Sequence, residues 1–308
     1  MKWTSSASPQ NEGTLKKDVE GTWVEKYITY QQDHSGELHL TDNHFLAEIL
    51  IEGARDFHAV SASLFPNDSS IPLVTYSGSD KIAFSQAPYF YNRKSKSFDD
   101  LDALEKKHPS SDKYVWEISG PNGFFRLEPI RIGGPEAITQ IPKVSTIRLN
   151  QNKIAINDYM NIDPNTDLII EWDPFDNGSE FDGNGWDDII FVLVSNCYGQ
   201  IIFTGGAAET DDPFIGCSDV SAILPKERMN AGEEYIIFIS QVKLVDQNHS
   251  NGIHQVACNS FATELSVRTA GNLIQKKEIS SIRPAQHLWS RKTKGEGMET
   301  WPMLIDFY

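Results

Sequence analysis

From Trp23 onward the chain is built of short apolar runs separated by clusters of Gly, Pro, Asn, Asp and Ser, and the runs are too short and too rich in β-branched and aromatic residues for helices. Trp23 to Tyr30, Phe45 to Ile51, Phe57 to Leu64, Leu73 to Tyr76 and Lys81 to Phe84 predict strands in the first half. One helix is expected there. Ser97 stands where a cap belongs, acids fill the first turn, lysines the last, Phe98, Leu101 and Leu104 share a face, and Pro109 lies just beyond. A hairpin follows, Lys113 to Ile118 and Phe124 to Ile130, around Gly120-Pro121-Asn122-Gly123. The run Arg131-Ile132-Gly133-Gly134-Pro135-Glu136, with Pro142 soon after, places a domain junction near residue 140.

The second half repeats the style. Strands are expected at Val144 to Leu149, Asp167 to Trp172, Asp188 to Ser195, Gln200 to Thr204, Val220 to Leu224, Glu234 to Val242, Gly252 to Cys258 and Ala262 to Arg268. A series of short strands without intervening helices predicts a sandwich of two antiparallel sheets. Leu224-Pro225, Met229, Gly232 and Tyr235 stand in the order used at the tyrosine corner of immunoglobulin-like and fibronectin-type sandwiches, where the phenol bonds back to the preceding loop. The expected fold is all-β: two β-sandwich-like domains, residues 19–140 and 141–272, one short helix in the first, a flexible N-terminus over 1–18 and an irregular C-terminal tail over 273–308.

Size and charge narrow the function. At 308 residues the chain is about twice the usual single-domain length, in keeping with two domains. Its longest apolar runs fall far short of the roughly 20 residues of a membrane helix, so no membrane insertion is expected. No apolar leader follows Met1 in the sequence as it stands, which points to the cytoplasm or to a leader already removed. Net charge is −16, and from Ile154 to Pro225 there are fourteen acids and no Lys or Arg. Such a surface repels phosphate backbones and anionic lipid, and leaves cations or basic proteins as partners. The tail carries six basic against four acidic residues and could lie back over the acidic domain. Cys197, Cys217 and Cys258 form no C-x-x-C pair, so buried thiols are the first reading and a single disulfide the second.

Two passages bring a family into view. The short helix with Pro109, followed by Lys113-Tyr114-Val115-Trp116-Glu117-Ile118-Ser119-Gly120, resembles a stretch of an uncharacterised tandem β-sandwich module of large secreted or surface proteins of environmental bacteria. Asp167-Leu168-Ile169-Ile170-Glu171-Trp172-Asp173-Pro174-Phe175, the passage from Leu224-Pro225 to Tyr235, and the run Phe261 to Arg268 are similar to its second sandwich. The resemblance covers roughly residues 20 to 270; it implies immunoglobulin/fibronectin-like architecture and an extracellular or cell-surface location, and carries no catalytic residue.

Chemistry is concentrated in the loop from Asp176 to Asp188, where Asp176, Asp182, Asp187 and Asp188 are the candidate ligands of a calcium ion. The EF-hand spacing fails from either starting aspartate, and a solvated inter-strand loop is the plainer reading. Histidines five apart, among them His249 and His254, would face opposite sides of one strand and give no metal set. No G-x-S-x-G elbow and no P-loop occur. Tyr89, Phe90, Tyr91, Trp186 and Trp289 could stack on a sugar or protein, though core packing is the commoner fate. The expectation is therefore a non-catalytic binding or structural module acting through acidic loops on a protein or carbohydrate partner. A carbohydrate-active enzyme with an acidic cleft is the alternative, and an assembly subunit docking by its tail a third.

Overall fold

The computed structural model describes residues 19–51, 60–77, 89–133, 140–179, 188–205, 214–272, 289–290 and 302–303. The expected strand Lys81 to Phe84, the residues 1–18 and 134–139, and most of the tail lie outside them.

In chain order the first half holds β1 (Val19–Gln32), β2 (Leu38–Ile51), β3 (Ser61–Pro66), β4 (Val74–Tyr76), β5 (Tyr89–Lys94), α1 (Leu101–Lys107), β6 (Lys113–Gly120), β7 (Gly123–Arg126) and β8 (Ile130–Arg131). The second holds β9 (Val144–Leu149), β10 (Asn152–Lys153), β11 (Leu168–Trp172), β12 (Ile189–Asn196), β13 (Ile201–Thr204), β14 (Phe214–Gly216), β15 (Ser221–Leu224), β16 (Glu234–Ser250) and β17 (Ile253–Arg268). Beyond them β18 (Trp289–Ser290) pairs with β19 (Pro302–Met303). The protein is all-β, with one α-helix among the described residues.

Three sheets carry the architecture. An eight-stranded sheet runs β13-β12-β16-β17-β1-β2-β5, with β14 also on β12. A five-stranded sheet runs β4-β3-β6-β7, with β8 also on β6, and a four-stranded sheet runs β10-β9-β11-β15. Both smaller sheets pack on the same face of the large one. Val24, Ala47, Ile49 and Ala257 meet Leu64, Tyr76, Trp116 and Ile118 of the first, while Val192, Ile237, Leu265 and Val267 meet Ile147, Ile170, Trp172 and Leu224 of the second. Ala257 and Leu265 are both odd-numbered positions of β17, which pairs with β1 without a register break, so they share a side.

Two apolar clusters carry the cores, the buried residues of the first drawn from 19–132 plus Ile253 and Ala257, those of the second from 144–267. The large sheet is shared by both. β1 pairs in parallel with β17 from Gly21↔His254 to Gln32↔Leu265 and antiparallel with β2, so one continuous ladder joins strands from both sides of residue 140.

Two local expectations are corrected. The helix begins at Leu101, with Asp100 as its cap: the Asp100 carboxylate accepts from the Ala103 amide at 2.7 Å. Ser97 is used elsewhere, its hydroxyl accepting from the Asn43 amide at 3.4 Å. The two strands expected across 252–268 are one, because Asn259 and Ser260 find tertiary partners inside the sheet: the Asn259 amide donates to the Ile132 carbonyl at 2.8 Å and the Ser260 hydroxyl donates to Glu25.

The opposite face of the large sheet is also buried. Trp23 and Glu25 on β1, Cys258, Ser260 and Ala262 on β17, Ser240 and Val242 on β16, and Phe191 and Leu193 on β12 are all buried there. A strand enclosed on both sides needs no polar alternation, which is why Ile189 to Val194 reads as an unbroken apolar run.

Candidate functional site

Of the fourteen acids in the cation-free stretch, eight are described, and seven of those eight are exposed or half-exposed. Most are held by a local donor. Asp163 accepts from the Asn165 amide at 3.0 Å and from the Thr166 hydroxyl, Asp167 from the Lys226 amide at 3.0 Å, and Asp219 from the Gly216 amide at 3.1 Å. Glu171 on β11 takes the Arg148 guanidinium of β9 at 2.9 Å. These side chains close turns and brace neighbouring strands around the second sandwich.

Asp188 is the buried one. Its Oδ1 accepts from the Leu244 amide at 2.8 Å, and its Oδ2 from the Ser179 amide at 2.7 Å, the Ser179 hydroxyl at 2.8 Å and Lys243 Nζ at 2.6 Å. Both oxygens are occupied and a cation already sits on one of them. Asp176 is exposed, and Asp182 and Asp187 lie outside the described residues, so of the four candidate calcium ligands two are placed, one outward and one inward.

The described residues contain one trio of mixed ligands, Asp33, Glu37 and His39, whose donor atoms lie within 4.8 Å of one another at the β1–β2 turn. The geometry is that of a turn lock. Asp33 Oδ1 accepts from the Ser35 amide at 2.8 Å, the Ser35 hydroxyl at 2.7 Å and the Glu37 amide at 2.9 Å, while Oδ2 faces His39 Nε2 at 3.4 Å. The Ser35 hydroxyl, followed by the Glu37 amide, holds the Asp33 carboxyl down at about 2. The signal was present in Asp33-x-Ser35-Gly36-Glu37, a turn sequence between two strands.

A second group was not legible in advance. Glu25 on the enclosed face accepts from Trp23 Nε1 at 3.0 Å and from the Ser260 hydroxyl, beside Cys258. Burial pushes its carboxyl up to about 7, against the pull of the hydrogen bonds from Ser260, Trp23 and Cys258. Burial, reinforced by Glu25 and Glu48, pushes the Cys258 thiol well up, which keeps it protonated and unreactive. No disulfide joins Cys197, Cys217 and Cys258, so the disulfide reading does not hold.

The tyrosine corner is formed as expected. The Asn230 amide donates to the Tyr235 phenol oxygen at 2.7 Å, and the phenol donates to Glu233 Oε2 at 2.8 Å. His249 and His254 do not lie on opposite faces of one strand. They are direct cross-strand partners on β16 and β17, their rings stacked with centroids 4.4 Å apart. The Asn251-Gly252 dipeptide between them was the hairpin signal. Tyr89, Phe90 and Tyr91 fall on β5, Trp289 falls on β18, and Trp186 lies outside the described residues.

No family model matches the chain and no curated protein matches it. Among solved structures it is similar to the FN1–FN3 domains of chicken CNTN1, at 10% identity over 81% of this chain and 69% of that one, with a TM-score of 0.26, a likeness too slight to carry an argument. No helix among the described residues is long and apolar enough to cross a membrane.

Proposed function

We propose that this chain is a non-catalytic binding or structural module that presents acidic inter-strand loops to a cationic partner, in keeping with the extracellular setting its resemblance implies. The observation that carries the reading is the disposition of the described acids around the second sandwich. They stand outward on separate turns and strands, and most take a backbone or guanidinium donor of their own. Carboxylates so held supply a broad negative field and preformed loops, which suit electrostatic recognition. Hydrolysis of a glycosidic bond asks for two carboxyls about 5 to 9 Å apart across a cleft, one of them with a raised pKa. The carboxyls raised by burial among the described residues, Glu25 on β1 and Glu264 on β17, lie on strands of the large sheet rather than on these loops.

Biolayer interferometry with immobilised protein tests it, using a lysine-rich and a glutamate-rich peptide of equal length at low and physiological salt, alongside a panel of p-nitrophenyl glycosides and soluble polysaccharides. Saturable capture of the lysine peptide alone, weakening with salt, is expected. Turnover of any glycoside, or equal capture of both peptides, overturns the reading.

A further inference from the structure

The tip of the β16–β17 hairpin reads His249-Ser250-Asn251-Gly252-Ile253-His254. Asn251 and Gly252 both take positive φ, 54° and 77°, the conformation of a two-residue type I′ turn. In such a hairpin the residues flanking the turn, here Ser250 and Ile253, form the hydrogen-bonded rung. The next rung, His249↔His254, is then the one without backbone bonds, where Cα atoms come to about 4.5 Å and side chains stand closest. The two imidazoles accordingly lie 4.4 Å apart between centroids, 27° from parallel.

The other side of the hairpin anchors this rung. Ile253 is buried in the first core, and Gln255, fully buried, donates to the Glu128 carbonyl at 3.1 Å. On the flank, the register partner of His254 in β1 is Gly21. His249 is exposed and His254 half-exposed, so the pair is open to solvent ions.

We propose that His249 and His254 form a two-imidazole site for a borderline divalent transition metal, of the class of Zn2+, Ni2+ or Cu2+. Neutral imidazole nitrogens are the preferred side-chain ligands of these ions, with metal–nitrogen distances of about 2.0 to 2.1 Å for zinc. Two such bonds need ring nitrogens roughly 3 Å apart, which rotation about the side-chain torsions supplies from rings already stacked at this spacing. The strand register removes most of the entropy of bringing the second ligand to the ion. The remaining coordination positions stay with water or accept a donor from a partner. In the acid-rich Asp33, Glu37 and His39 turn, the Asp33 carboxylate is engaged by the turn's own amides. The site is independent of the cationic-partner reading, which rests on other loops.

Isothermal titration calorimetry with ZnCl2 and with CuCl2 at pH 7.5 tests it on the full chain and on His249→Ala, His254→Ala, His254→Gln and His39→Ala. One saturable site is expected, weakened at least about tenfold by each His249 or His254 substitution and unchanged in His39→Ala. The electron paramagnetic resonance spectrum of the copper-loaded chain should show coupling to two imidazole nitrogens. No saturable binding below millimolar ion, binding that persists in the two His254 variants, or binding lost in His39→Ala overturns the proposal.

Discussion

Lys243 Nζ lies 2.6 Å from the Asp188 carboxylate, with the two side chains 10% and 1% exposed, and it also donates to the Asn177 carbonyl at 2.8 Å. Asp188 directly precedes β12 and Lys243 is on β16, so their pairing continues the Ile189↔Val242 ladder by one rung and binds the 176–179 loop to the sheet. Either charge alone would be stranded in a low-dielectric site, so Asp188→Asn and Lys243→Met should each cost about 3 to 5 kcal/mol. The double variant should cost clearly less than the sum, as read by urea denaturation. Strict additivity would mean that the two groups do not act as a pair.

Tyr235→Phe removes the phenol oxygen that receives the Asn230 amide and engages Glu233 while leaving the ring in place. A loss of about 1 to 2 kcal/mol is expected, with an unchanged far-ultraviolet circular dichroism spectrum. An unchanged melting temperature would show the corner to be ornamental.

Two buried groups pull the pH dependence of stability in opposite directions. Glu25 titrates at about 7 in the fold against 4.5 for a free glutamate, so the native state holds the extra proton between those values, and its contribution is lost as pH rises through them. His108, stacked on Phe45 at 4.1 Å, is held down to about 4, chiefly by burial and then by Lys107 and Lys26. There the unfolded chain takes the proton first, so stability is lost as pH falls from about 6.5 towards 4. Relative to the parent, Glu25→Gln should gain stability with rising pH across this window, and His108→Phe should lose it, each by something on the order of 3 kcal/mol. Parallel curves for parent and variant would contradict the assignment for that residue.

Gly232 takes φ of +76°, and a Cβ added there would meet the Asn272 carbonyl oxygen at 1.9 Å. Backbone cannot yield as a side-chain tip can, so Gly232→Ala should be among the most damaging single substitutions, above about 3 kcal/mol. Gly216→Ala is the control. Among the described residues its methyl would meet only the Asp219 and Ser218 side chains, at 3.6 and 3.8 Å, and a change within about 0.5 kcal/mol is expected in the same thermal melts.

The parallel β1–β17 ladder makes the two cores dependent on one sheet. A protease site introduced within 134–139 and then cut should leave the two fragments co-eluting on size exclusion, held by the twelve register pairs from Gly21 to Gln32. Separation into two folded species would instead establish independent domains.

What the sequence determined by itself is local. Alternation and turn residues located most of the described strands, though not β5, β14 or the unbroken β17, and Leu224-Pro225 to Tyr235 announced the corner, because these features depend on neighbours within a few residues. The acid-rich stretch was equally plain, and the outward placement of its described acids other than Asp188 follows from the cost of burying a lone charge. Tertiary structure alone decided the rest. Pairing β1 with β17 joins residues more than 230 positions apart, and no periodicity records that choice. The enclosed second face likewise decided the fate of Glu25 and Cys258, which in sequence are one polar and one small residue in an alternating strand. His249 and His254 stand between the two cases. Their Asn-Gly turn was written in the chain, but whether five residues meant opposite faces of one strand or facing rungs of two depended on where the strand folds back, and the backbone settled that through two consecutive left-handed residues.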